Sequence, residues 1–70
     1  MTKTEQDENV PKLARYKRLG LVQEVIPVER AAGDHAIIVK YPDDRRTWLY
    51  TMEQVDALLA KLLQRGGSVN

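Results

Sequence analysis

Residues 35–65, HAIIVKYPDDRRTWLYTMEQVDALLAKLLQR, decide how this chain folds. They read as an apolar strand, a tight polar turn, a second strand carrying Trp48, and an amphipathic helix. The helix start is marked at Thr51, with Gln54 three residues on. That is the spacing of a capping box, in which each side chain satisfies a backbone N–H of the first turn. Tyr50 and Val55 occupy the two positions of a hydrophobic staple. Beyond them Met52, Val55, Leu58, Leu59, Leu62 and Leu63 recur at intervals of three and four, which gathers them on one stripe. Glu53 in the first turn and Arg65 in the last complement the helix dipole, and Gly66 with Gly67 can end the helix.

Upstream, Ala36 to Val39 is a continuous apolar run inside a strand from His35 to Tyr41. A strand apolar on both sides is expected to be central and covered on both faces. Pro42, Asp43 and Asp44 make the turn that follows, with proline presetting φ at its second position. The next strand, Arg45 to Tyr50, sends Trp48 and Tyr50 one way and Thr47 and Leu49 the other. Leu21 to Arg30 reads as the first strand, with Val22, Ile26 and Val28 on one side and Gln23, Val25 and Pro27 on the other. Pro27 cannot donate to a ladder, which makes this an edge strand or a bent one. Ala31 to Asp34 connects it to its neighbour, with Gly33 free to take positive φ.

The first nine residues hold almost nothing to bury and read as a disordered tail. Pro11 then suits the first turn of a short helix capped by Asn9 or Val10, in which Leu13, Tyr16 and Leu19 share a face and Gly20 is the stop. Lys12, Arg15, Lys17 and Arg18 crowd around Tyr16. The fold class is therefore α+β: a short N-terminal helix, a three-stranded antiparallel sheet, and a long C-terminal amphipathic helix packed on one face. Residues 10–66 form one domain, and residues 67–70 are expected to fray.

Composition narrows the function. At 70 residues the chain is near the size at which one core supplies only about 3 to 5 kcal/mol. It has no cysteine, so disulfides and thiolate metal sites are excluded, and His35 is its only histidine. A partner subunit is the remaining remedy, so a homodimer is one expectation, with an unusually well packed monomer as the alternative. The only serine, Ser68, lies in the C-terminal tail, and Asp43 with Asp44 reads as a turn former. No glycine-rich phosphate loop or metal-ligand spacing occurs, so neither cofactor nor metal nor small-molecule substrate is expected, and the chain reads as a non-enzyme. It lacks a membrane-length apolar run and a signal-peptide pattern, and a cytoplasmic location is the expectation. Net charge is +1, with eight bases against five acids between residues 10 and 50. The body is mildly basic.

Binding is what remains. If the helix packs on the side of Ile38 and Leu49, then Trp48 and Tyr50 lie with His35, Ile37, Val39 and Tyr41 on the opposite face, rimmed by Arg45 and Arg46. Such a face has the composition of an interface. The candidate contacts are thus Lys12, Arg15, Tyr16, Lys17 and Arg18 on the basic helix, with Arg45, Arg46, Trp48 and Tyr50 on the sheet. A small regulator or inhibitor docking on a larger protein, or on itself, fits this pattern; such modules are often products of a phage or mobile element.

Three antiparallel strands followed by a helix, with Arg46, Thr47, Trp48, Leu49 and Tyr50 leading into Met52 to Leu63, resemble the AP2-type DNA-binding domain and the arm-binding domain of tyrosine integrases. The resemblance covers residues 21–64. It implies an alternative, a sheet-type DNA-binding accessory protein contacting the major groove through Arg30, Lys40, Arg45, Arg46 and Trp48. The apolar second strand departs from that pattern, because readers of base edges need polar side chains there. A second likeness, to SH3-like barrels, rests on Gly20, Val22, Val25, residues 39–43, Trp48 and Leu49, and the long helix departs from it.

Overall fold

A computed structural model describes residues 1–66. Helix α1 spans Lys3–Ala14 and runs on as a 3-10 turn, Arg15–Leu19. Strands β1 (Glu24–Glu29), β2 (His35–Lys40) and β3 (Arg46–Leu49) follow, and α2 spans Met52–Gly66. The strands form one antiparallel sheet in the order β1-β2-β3, so β2 is central and β1, which holds Pro27, is an edge. The expected α+β architecture is present.

The N-terminus differs from its reading as a tail. Thr2 and Glu5 form a complete capping box, and α1 starts at Lys3 rather than near Pro11. Its inner face carries Gln6, Asn9, Leu13 and Tyr16, all buried. Two of these four are amides, so a reading by hydropathy passes over the stripe. Gln6 Nε2 donates to Val28 O at 3.0 Å and to Ala36 O at 2.8 Å, tying the helix to two neighbouring strands. Asn9 Nδ2 donates to Glu5 O at 2.7 Å and meets Met52 Sδ at 3.4 Å, while Asn9 Oδ1 is buried without a partner. Pro11 lies well inside the helix, at an exposed position where its missing N–H leaves only a solvent-side gap. Gly20, with φ 71°, ends the 3-10 turn as expected. Leu19 is exposed and does not join the inner face.

Helix α2 begins with the capping box its sequence indicates, but the expected staple of Tyr50 on Val55 does not form. Thr51 N–H donates to Gln54 Oε1 at 3.2 Å, and Gln54 N–H donates to Thr51 Oγ1 at 3.3 Å. Val55, Leu58 and Leu62 are buried, Met52 and Leu59 pack against the core, and Leu63 points to solvent at 55% exposure. Tyr50 lies on the sheet's other face from Val55, stacked on Trp48 with ring centroids 6.0 Å apart. The helix runs through Gly66; Gly67 and the expected frayed end lie outside the described residues.

One core joins both helices to one face of the sheet: Leu13, Tyr16, Val22, Val25, Ile37, Val39, Leu49, Val55, Leu58 and Leu62. The turn after β2 sets which strand residues enter it. Asp44 N–H donates to Tyr41 O at 3.1 Å and Tyr41 N–H to Arg45 O at 2.8 Å, with Asp44 in the left-handed region at φ 70°. This three-residue loop aligns Ile37 with Leu49, Ile38 with Trp48 and Val39 with Thr47. Residues directly opposite share a face, so Ile38 belongs with Trp48 and not with Leu49. The expected grouping is corrected accordingly: His35, Ile37, Val39 and Tyr41 belong to the covered face. In β1 the same parity buries Val25 and exposes Ile26, and Val22 enters the core from ahead of the strand.

Candidate interaction surface

The face of the sheet turned away from the helices carries three cross-strand rows. Glu24, Lys40 and Arg46 form the first, Ile26, Ile38 and Trp48 the second, and Val28 with Ala36 the third, which Tyr50 continues. Ile26 is 39% exposed, Trp48 44% and Tyr50 37%, while Ile38 is half-buried among them. Trp48 and Tyr50 stack with their planes 14° apart, and the Arg30 guanidinium sits 4.6 Å from the centre of the Tyr50 ring. Stacking restrains the two aromatics against each other, and the cation–π contact ties Tyr50 to Arg30. No element of the described chain covers this face; α1 and α2 both lie against the other.

The expected candidates separate. Trp48, Tyr50 and Arg46 are on the open face, together with Arg30 and Lys40. Arg45 sits at the hairpin, its Nε 2.6 Å from Asp43 Oδ2. Tyr16 is 8% exposed and belongs to the core, so it is withdrawn as a contact. Its burial follows from the α1 stripe, which ends on it. Lys12, Arg15, Lys17 and Arg18 are exposed, but on the helical layer, and the structure does not gather them with the aromatic row. Lys17 Nζ alone approaches the sheet's end, 3.9 Å from Glu24 Oε1. Ile26 and Ile38 complete the row and were not among the sequence candidates. The alternation of β1 with its Pro27, read against the length of the second turn, is the signal that places them.

At the opposite end, the Met1 amino group donates to Tyr50 O at 2.8 Å, His35 O at 3.2 Å and Asp34 Oδ1 at 3.3 Å. The Asp34 carboxyl is held below the usual carboxylate range, first by that ammonium hydrogen bond, then by the His35 N–H and the charges of Met1 and Arg30. Asp43 is lowered by the Arg45 backbone N–H and then by its guanidinium. Asp34 thus links its turn to the Met1 ammonium, whereas Asp43 is held within its own turn by Arg45. Among the described residues no three His, Cys, Asp or Glu side chains come together to hold a metal ion, and no helix is long and apolar enough to cross a membrane.

Comparison of the chain with protein families, curated proteins and solved structures gives no match.

Proposed function

We propose that the chain is a non-catalytic binding protein that docks on a larger protein through the open face of its sheet. The observation that carries the reading is the row Ile26–Ile38–Trp48, flanked by Tyr50 and left without cover. Isolated apolar residues on a surface are ordinary, whereas a contiguous aromatic and aliphatic row with charges at its rim has the anatomy of a protein interface. Aromatics already fixed by stacking lose little further freedom on binding, which favours affinity. The basic residues Lys12, Arg15, Lys17 and Arg18 would then steer encounter from the helical side rather than share the contact. A regulatory or inhibitory role is the simplest use of such a module.

A second reading has one observation in its favour: Arg30, Lys40 and Arg46 lie on the same face as Trp48, four of the five contacts that a sheet-type DNA binder would use. The centre of the face speaks for protein, since Ile26, Ile38, Val28 and Ala36 offer nothing to the polar edges of bases.

The test is a pair of substitutions at exposed positions, Ile26→Glu with Trp48→Ala. The folded double variant should lose a partner retained from lysate of the source organism by the parent protein, and with it any concentration-dependent self-association seen by light scattering. Retention of the same partner by the folded variant would remove the open face from the mechanism. Binding that instead weakens steeply with salt, with a slope of about 0.9 per phosphate contact, would favour the DNA reading.

A further inference from the structure

Beside the open face, sharing Arg46 and Trp48 with its rim, a groove of about 550 Å³ runs between the free edge of β3 and one side of α2. Among the described residues four cations line it, Arg45, Arg46, Lys61 and Arg65, and no carboxylate does. Arg45 is held by Asp43, but among the described residues Arg46, Lys61 and Arg65 have no ion-pair partner. Ala57, small and on the same side of α2, keeps the groove wide enough for a chain to enter.

The other wall is a strand with one side unpaired. Among the described residues β3 bonds only to β2. The hydrogen bond from Tyr41 N–H to Arg45 O fixes the alternation of the ladder, so residues 45, 47 and 49 turn their backbone groups inward. Arg46 and Trp48 therefore aim their N–H and C=O groups along the free edge. The four residues of β3 offer roughly 13 Å of edge, at about 3.3 Å per residue. The α2 segment from Gln54 to Arg65 rises about 16 Å beside it. The two walls match in length.

We propose that this groove binds an extended acidic segment of a partner protein as a fourth strand on β3. Alternate side chains of such a segment point to opposite faces. Those on the side of Thr47 and Leu49 turn toward Lys61 and Arg65, and carboxylates suit them; those on the side of Arg46 and Trp48 lie on the open face, where an apolar side chain suits Trp48. Main-chain pairing supplies affinity, and the alternation of acidic and apolar residues supplies selectivity. A second copy of the chain fits poorly, because it would bring its own Arg45 and Arg46 against the same cations. A nucleic-acid strand fits less well than a peptide, since its backbone offers acceptors to an edge that presents donors and acceptors in turn.

The experiment is a nuclear magnetic resonance titration of the isotope-labelled protein with a capped hexapeptide of alternating Glu and Val. Saturable shifts are expected at Arg46 to Leu49 and along Ala57 to Arg65. The double substitution Lys61→Glu with Arg65→Glu should weaken binding at least about ten-fold, and Lys61→Gln with Arg65→Gln serves if the first does not fold. Ile26→Glu, which spoils only the open face, should leave peptide affinity unchanged, so this proposal and the one above fail separately. A peptide methylated on alternate backbone nitrogens should no longer bind. The proposal is overturned if the acidic peptide gives no saturable shifts, if the methylated peptide binds as well as the parent, or if a thymidine hexanucleotide competes with equal affinity.

Discussion

Helices α1 and α2 cover the same face of the same sheet, and both open on a threonine followed three residues later by a Glu or Gln that closes a capping box. Past that shared start they use different chemistry. α2 presents Val55, Leu58 and Leu62, so its hold on the sheet is the removal of apolar surface from water. α1 presents Gln6 and Asn9 before it reaches Leu13 and Tyr16, so its first half is held to the sheet by the two directed bonds of Gln6, while Asn9 Nδ2 bonds back to Glu5 O within the helix. Apolar contact tolerates small shifts, whereas two bonds from one amide to two strands fix both the height and the rotation of the helix. The difference teaches that amphipathicity and hydropathy are separable: α1 has a buried stripe that is partly polar.

The largest test of this contrast is at Leu62, which is 1% exposed. Leu62→Ala should cost about 2 to 5 kcal/mol, enough to unfold much of so small a domain, read by urea denaturation. A loss below about 1 kcal/mol would mean that α2 is not the apolar anchor described.

Gln6→Ala comes next. It removes the donor shared by Val28 O and Ala36 O, and should cost about 1 to 3 kcal/mol. Gln6→Leu should not restore stability even though it is more apolar, because the two carbonyls remain without the amide. If Gln6→Leu melts at or above the parent temperature, α1 is held by burial like α2, and the contrast fails.

A smaller effect of opposite sign is expected at Pro11. Alanine there restores an N–H in the helix interior at an exposed position, and the melting temperature should rise with a gain of about 1 to 2 kcal/mol. Unchanged stability would show that the hydrogen bond missing at Pro11 costs α1 nothing.

The smallest effect distinguishes the ends of the two helices by pH. The α2 box uses the neutral Gln54, whereas the chain ahead of α1 is joined to Asp34 through the Met1 ammonium. Because the folded carboxyl is depressed, its contribution is fully present above the ordinary carboxylate value. It is lost as pH falls through the lower folded value. Asp34→Asn should therefore shrink the difference in melting temperature between neutral and acidic pH. Asp43, depressed in the same direction by Arg45, accounts for a share that this variant leaves in place.

The parts of the fold legible in the sequence are those settled within a few residues. The Thr51 box, the α2 stripe, the Pro42 turn and the positive φ of Gly33 each depend on neighbours one to four positions away. The central place of β2 was legible from its apolar run, but the expected cover on both faces is not met, since both helices lie on the side of Ile37 and Val39. The candidate surface was half legible: Trp48 and Tyr50 stand out by type, but Ile26 and Ile38 were placed wrongly or passed over. Their face depends on pairing with another strand, and a shift of one residue reverses every side chain.

What the sequence by itself determined, then, is the set of elements and the local signals that begin and end most of them. Even Thr2 with Glu5 was a start signal of the same form as Thr51 with Gln54. Tertiary structure alone decided that the polar segment after Thr2 is a helix, because the partners of Gln6 are carbonyls 22 and 30 residues away. It also decided that both helices share one face, which leaves Ile26, Ile38, Trp48 and Tyr50 open on the other. The physical reason is the same in both cases: a buried amide and a strand's parity gain meaning only from the groups that meet them across space.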